Sequence, residues 1–114
     1  MNLPNASRET NAPDFSSLQA QANRASKLLR SLSHETRLSI LCMLSEQEMS
    51  VSEIEEIVGL PQATVSQQLA RLRLDDLVVT RREGRQVYYR IANEDIKTII
   101  DTLHELFCKP TNNR

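Results

Sequence analysis

The stretch from Gly59 to Ile91, GLPQATVSQQLARLRLDDLVVTRREGRQVYYRI, changes its apolar period part-way along, and that change limits what the chain can fold into. In its first half Val65, Leu69 and Leu72 recur at i, i+4 and i+7, which puts them on one face of a helix. In its second half Val78, Val79 and Thr80, and then Gln86 to Ile91, are β-branched and aromatic runs. They flank Arg81-Arg82-Glu83-Gly84-Arg85, read as a turn with three cations at its tip. Gly59 ends a preceding helix, Pro61 suits the start of the next, and Gly84 supplies the positive φ of a tight hairpin. The pattern is helix, turn, helix, basic hairpin.

The helix face opposite the apolar one carries Thr64, Gln67 and Arg71, with Ser66 and Gln68 on its flanks. A face that only had to be soluble is more often filled with Glu and Lys. Glutamine instead pairs with adenine, and arginine with guanine, across the major groove of a duplex. From Pro61 to Ile91 six arginines (71, 73, 81, 82, 85, 90) stand against three acids (75, 76, 83), a balance of 6 − 3 = +3, while the whole chain is −1. Concentrated cations match phosphates. The plainer alternative is an ordinary solvated surface whose charged tip does nothing specific.

At 114 residues the chain is one small domain that a second subunit would help to stabilise. Its longest apolar run, Ile40 to Leu44, is far short of a membrane span, and the start lacks the regions of a signal peptide, so a cytoplasmic protein is expected. Two cysteines in that compartment read as thiols. An aromatic content of 4% disfavours the stacking platforms of single-strand binders. A Cys and a His in one short helix suggest nucleophilic chemistry, but no phosphate loop, oxyanion loop or paired acid accompanies them, so an enzyme is not expected. A module that only dimerises, without DNA, is the other rival.

Residues 1–17 read as a disordered tail, 18–108 as the folded domain and 109–114 as a second tail. Leu18, Ala22, Ala25, Leu28, Leu29 and Leu32 give a first helix an apolar stripe. Ser33 is a candidate cap for a second, from His34 to about Glu46, apolar nearly all round its centre and so expected to be enclosed. Ser50-Val51-Ser52-Glu53 fits a capping box opening a short helix to Val58, with Val51, Ile54, Ile57 and Val58 inward. The acids at 46, 48, 53, 55 and 56 tell against phosphate contact there, leaving that helix a positioning role. Asn93 caps a last helix to about Cys108, with Ile96, Ile99, Ile100, Leu103, Leu106 and Phe107 on one side, and Pro110 stops it. The stripes of the terminal helices either close the monomer core or meet their counterparts in a second copy. A two-fold dimer would offer reading helices to successive major grooves, roughly 34–36 Å apart, and favour an inverted-repeat site.

Taken in order, LSHETRLSILCML (32–44), MSVSEIEEIVGLPQATVSQQLARLRLDDLVVTRREGRQVYYRI (49–91) and the final helix resemble the ArsR family of winged helix-turn-helix repressors, over about residues 18 to 108. The resemblance implies a mainly α fold with a two-stranded β wing and a homodimer joined through its first and last helices. It also implies repression of a nearby operon until an inducer acts. By position in the family's pattern, Gln62, Thr64, Ser66, Gln67, Gln68 and Arg71 are major-groove contacts on double-stranded operator DNA, and Arg82, Arg85 and Gln86 fall in the wing.

Many members of the family sense metals. Arsenic-type members carry Cys-Val-Cys where this chain has Ser50-Val51-Ser52, and hydroxyls replace soft thiolate ligands poorly. The zinc-type site on the last helix meets here Asn93, Asp95, Asp101, His104 and Glu105, a single His among acids better read as a solvated face. No metal or cofactor is therefore expected. Cys42 in the second helix and Cys108 at the end of the last look like the subclass that senses reactive sulfur through a cysteine pair, the repressors of sulfide-oxidation and biofilm-growth operons. By that resemblance persulfides or polysulfides would link Cys42 to Cys108 through sulfur and release the operator. Cys108, with His104 one turn before and Lys109 beside it, is the expected first attacker and Cys42 the resolver. Alternatives within the fold are a peroxide sensor or an anti-repressor. For each thiol the plain alternatives are a small core hydrophobe and an idle terminal group.

Overall fold

The computed structural model describes residues 14–108, and of Cys108 the backbone alone. The described residues fall into two compact units, one up to Arg30 and one from Ser31 onward. The first consists, as far as it is described, of most of helix α1 (Phe15–Leu32). That helix begins within the expected tail, because Asp14 caps it: the Asp14 carboxylate accepts the Ser17 N–H at 2.8 Å. Residues 15–17 are thus its first turn, and residues 1–13 and 109–114 of the expected tails lie outside the described residues. Phe15 and Leu29 on α1 are 74% and 60% exposed.

The second unit holds α2 (Glu35–Glu46), β1 (Met49–Ser50), α3 (Val51–Val58), α4 (Gln62–Leu74), β2 (Val78–Glu83), β3 (Gln86–Ile91) and α5 (Glu94–Leu103), which continues as a π-helical turn over His104–Cys108. Its core takes Ile40, Leu41 and Leu44 from α2, Ile54 from α3, Val65, Leu69 and Leu72 from α4, Leu77 and Val78 from the entry to β2, and Ile100 from α5. Full burial of such side chains contributes about 1.5–3 kcal/mol each, so this apolar set holds the unit together. The anticipated inward residues of α4 are all buried.

Four details depart from the sequence reading. The cap of α2 is His34, whose Nδ1 accepts the Arg37 N–H, so Ser33 is not the cap. α2 packs on α4, α5 and β3, but Leu38, Cys42 and Met43 stay half-buried, so its enclosure is partial. Ile57, expected inward, is 59% exposed, because a helix as short as α3 is covered chiefly around Ile54. The last helix keeps α-winding only to Leu103, and the wider turn beyond shifts the phase of its side chains, leaving Leu106 and Phe107 54% and 77% exposed.

The wing is antiparallel, with Glu83 opposite Gln86 and Val78 opposite Ile91. Arg81, Arg82 and Glu83 belong to β2, so the connection is only Gly84-Arg85, with Gly84 at φ 63° as the first residue of a type II′ turn requires. A third strand joins the two expected: Met49–Ser50 pairs with Tyr89 and Tyr88 of β3, giving the order β1-β3-β2. Among the described residues no helix is long and apolar enough to cross a membrane.

Candidate nucleic-acid interface

The capping box at the head of α3 is complete: the Glu53 N–H donates to Ser50 Oγ at 3.1 Å, and the Ser50 N–H to Glu53 Oε1 at 2.8 Å. Ser50 is thereby occupied in closing a helix. At the other end of α3, Gly59 takes φ 70° and donates its N–H to the Glu55 carbonyl, turning the chain into α4. α4 has no such side-chain cap. Thr64 and Val65 donate to the Pro61 carbonyl, and the N–H groups ahead of them meet no capping side chain. No acid stands in its first turn, so the positive end of its dipole faces out unneutralised.

With Val65, Leu69 and Leu72 inward, Gln62, Ser66, Gln67 and Arg71 are exposed and Thr64 and Gln68 are half-buried. Arg71 Nε donates to Asp75 Oδ2 at 2.8 Å, with the guanidinium half exposed. Burial pushes the Asp75 carboxyl up, but the Ser31 hydroxyl and Arg71 outweigh it and hold the group below the usual carboxylate range. The stability it contributes is therefore present above the ordinary carboxylate pKa and lost only as the pH falls through its lowered one. Gln68 Oε1 accepts from Arg37 Nη1 at 3.0 Å, across from α2. α4 then ends in a Schellman turn: Asp76, at φ 60°, donates to the Arg73 carbonyl and Leu77 to the Leu72 carbonyl. That turn drives Leu77 into the core and starts the wing.

Within the wing the arginines divide. Arg81, read from sequence as one of three cations at a protruding tip, is instead tied down: it donates to both oxygens of Glu48, the shortest contact 2.8 Å, pairs with Glu83 at 3.1 Å, and lies 4.5 Å from the Tyr88 ring centre. Hydrogen bonds from Arg81 hold the Glu48 carboxyl below its ordinary range. Arg82, Arg85 and Gln86 are exposed, and among the described residues Arg82 and Arg85 make no ion pair. The sequence-read cations and amides thus fall on two adjoining elements, one a helix with a free positive end and the other a hairpin with unneutralised arginines. Such a surface has the donors and charge that phosphates and base edges call for. Arg37, Asp75, Glu48 and the anchoring role of Arg81 were missed, since each acts through a partner on another element or turn.

α2, which bears Cys42, also packs against the last helix, whose π turn ends at Cys108. The Ser45 hydroxyl donates to the Cys42 carbonyl at 2.8 Å and bears on Asp101, while Glu46 bears on Lys97. Lys97 pairs with Asp101 at 2.7 Å. These side chains, with His104 and Glu105, line a polar groove of about 510 Å³ between α2 and the last helix. Cys42 is half-buried, and the side chain of Cys108 lies outside the described residues. Among the described residues no three His, Cys, Asp or Glu side chains gather as a metal site would need.

A family model described as "Bacterial regulatory protein, arsR family" matches residues 34–80, from the α2 cap into β2. The transcriptional activator HlyU of Vibrio cholerae is 40% identical over 92 residues, 81% of this chain and 85% of that one. The chain belongs to the ArsR family. It is a DNA-binding transcriptional regulator with a winged helix-turn-helix, α3 and α4 forming the helix pair and β2–β3 the wing. A second ArsR relative, the biofilm growth-associated repressor of Xylella fastidiosa (strain Temecula1), is 37% identical over 108 residues, 93% of this chain and 95% of its own. Among solved structures, reduced HlyU from Vibrio cholerae matches with a TM-score of 0.80 at 39% identity, covering 83% of this chain and all of that one. A homodimeric winged helix-turn-helix DNA-binding domain from Mycobacterium bovis matches at 0.69 and 30% identity, covering 86% and 89%.

Proposed function

We infer that this ArsR regulator is a cytoplasmic repressor that binds an inverted-repeat operator as a homodimer and is released when reactive sulfur bridges Cys42 and Cys108. Gln62, Thr64, Ser66, Gln67 and Arg71 read the major groove, and Arg82, Arg85 and Gln86 follow the adjoining backbone; Gln68 is set apart because its amide oxygen is engaged by Arg37. The dimer is supported by the large apolar side chains left exposed on a single chain, Phe15 and Leu29 on α1, Leu106 and Phe107 at the end of the last helix. The Mycobacterium bovis domain is itself described as homodimeric.

The observation that carries the sulfur reading is the packing of α2 beside the last helix. The two helices pack together, and Ser45 and Glu46 at the end of α2 share one groove with Lys97, Asp101, His104 and Glu105 of the last helix. Cys42 stands one helical turn before Glu46, and the π turn that carries His104 and Glu105 ends in Cys108. In the chemistry inferred, the Cys108 thiolate attacks an inorganic polysulfide and displaces a shorter polysulfide, keeping two added sulfurs as Sγ–S–SH. The Cys42 thiolate then attacks the inner added sulfur and expels hydrosulfide, closing an Sγ–S–Sγ bridge. Two protein thiols are oxidised and the polysulfide is reduced. A bridge with an extra sulfur spans Cα separations beyond the roughly 7 Å limit of a plain disulfide, which favours polysulfide over peroxide.

The test is operator binding by reduced, polysulfide-treated, Cys42→Ser and Cys108→Ser proteins, with the bridge read by mass spectrometry. Treatment should weaken the wild type about tenfold or more, in line with a coupling of one to three kcal/mol, and leave both variants unchanged. Equal binding by reduced and bridged wild type sinks the reading.

A further inference from the structure

On the reading helix Gln68 commits its amide oxygen to a partner on α2, whereas Arg71 commits its Nε alone and keeps its Nη donors for a base edge. Arg37, on α2, donates through Nε to the Ser31 carbonyl at 2.9 Å and through Nη1 to Gln68 Oε1 at 3.0 Å. The Ser31 hydroxyl donates to Asp75 Oδ2, the atom that also accepts from Arg71 Nε at 2.8 Å. One arginine therefore spans the end of α1 and the middle of α4, and one carboxylate spans the same end of α1 and the last turn of α4. Ser31, Arg37, Gln68 and Asp75 are all buried or half-buried. The contacts form a brace that holds α4 at Gln68 and at its C-cap Asp75, roughly two turns apart.

The chemistry of the amide decides what Gln68 can do. A glutamine that reads adenine turns both its oxygen and its nitrogen outward, accepting from N6 and donating to N7. A guanidinium only donates, so the atom facing Arg37 must be the oxygen. With that oxygen turned in towards α2, Gln68 presents its nitrogen alone and loses the two-point match. Gln67, one residue earlier, is exposed and has no such commitment.

We propose that Gln68 is a positioning residue and not a base reader, and that with Arg37 and the Ser31–Asp75–Arg71 chain it sets the angle at which α4 meets the duplex. The proposal rests on α4 being the reading helix and is independent of the sulfur chemistry. Positioning residues weaken all sequences alike, whereas base readers relax preference at one position.

The experiment selects duplexes from a random pool with the wild-type protein, then measures affinity and base preference for Gln67→Ala, Gln68→Ala, Arg37→Ala and the Arg37→Ala/Gln68→Ala double variant. Gln68→Ala and Arg37→Ala should each lower affinity about five- to tenfold with the wild-type base preferences intact, and the double variant should be no weaker than the worse single one, as expected of two groups acting through one contact. Gln67→Ala should relax preference at one base pair. A changed base preference in Gln68→Ala, or losses that multiply in the double variant, overturns the proposal. If Arg37→Ala fails to fold, Gln68→Ala still decides through its base preferences. If no α4 variant, Gln67→Ala included, alters affinity or preference, α4 is not the reading helix, and the proposal falls with that assignment.

Discussion

α3 and α4 are consecutive helices joined at Gly59, and they meet the solvent in opposite ways. α3 closes its own first turn with the Ser50–Glu53 box and shows carboxylates at Glu53 and Glu56. α4 has no side-chain cap and no acid in its first turn, and its outer face is amides, hydroxyls and arginine. Both bury a short apolar stripe in the same core, so packing cannot account for the contrast. Under the proposed function the contrast follows from the partner each outer face must suit: water for α3, an anionic surface with base edges for α4. The wing repeats the lesson on a smaller scale. Arg81 is neutralised by Glu48 and Glu83, while Arg82, its neighbour in sequence, makes no ion pair among the described residues.

Giving α4 the character of α3 should have the largest effect. Gln67→Glu places a carboxylate where phosphates and base edges approach, and operator affinity should fall about a hundredfold, since like-charge juxtaposition costs several kcal/mol. Melting temperature should hardly move; anisotropy titration at stated salt checks the first and thermal unfolding the second. Next comes the wing. Arg82→Ala with Arg85→Ala should reduce the slope of log K against log salt by about two, one per lost phosphate contact, whereas an unchanged slope would place these cations away from the backbone.

The converse change acts on stability alone. Ser50→Ala opens the α3 box and should cost about 1 kcal/mol in a denaturant titration, with affinity per folded molecule unaltered. Smallest is Asp76→Gly at the end of α4, where φ is 60°. Glycine pays no side-chain penalty there, so a gain of at most about 1 kcal/mol is expected. A loss would mean that the Asp76 side chain contributes more than its backbone strain removes.

Features set by neighbours in sequence could be read without a structure. The apolar spacing of Val65, Leu69 and Leu72, the Ser50–Glu53 box, the Asn93 cap, whose Oδ1 accepts the Ile96 N–H at 3.0 Å, and the glycine turn of the wing are all local. What was hidden depends on residues far apart. Glu48 and Arg81 are separated by 33 positions and Arg37 and Gln68 by 31, and no periodicity links them. β1 is two residues long, too short to alternate. Asp14 lay in a polar run where nothing distinguished a cap from a tail until the first turn of α1 formed around it. Of the candidate site, residue types and faces were legible, but which polar groups were already spoken for was not.

The uncapped start of α4 has a thermodynamic consequence. α1, α2, α3 and α5 each complete their opening turn with a side chain from their own chain, Asp14, His34, Ser50 and Asn93. α4 has no such side-chain closure. The free protein is accordingly less stable than it could be by about the worth of one cap, and under the DNA-binding reading proposed above a phosphate oxygen docked at this end would return that increment as binding energy. Under that reading heat resistance and DNA occupancy are linked in part at this helix end, and saturating duplex should raise the unfolding temperature.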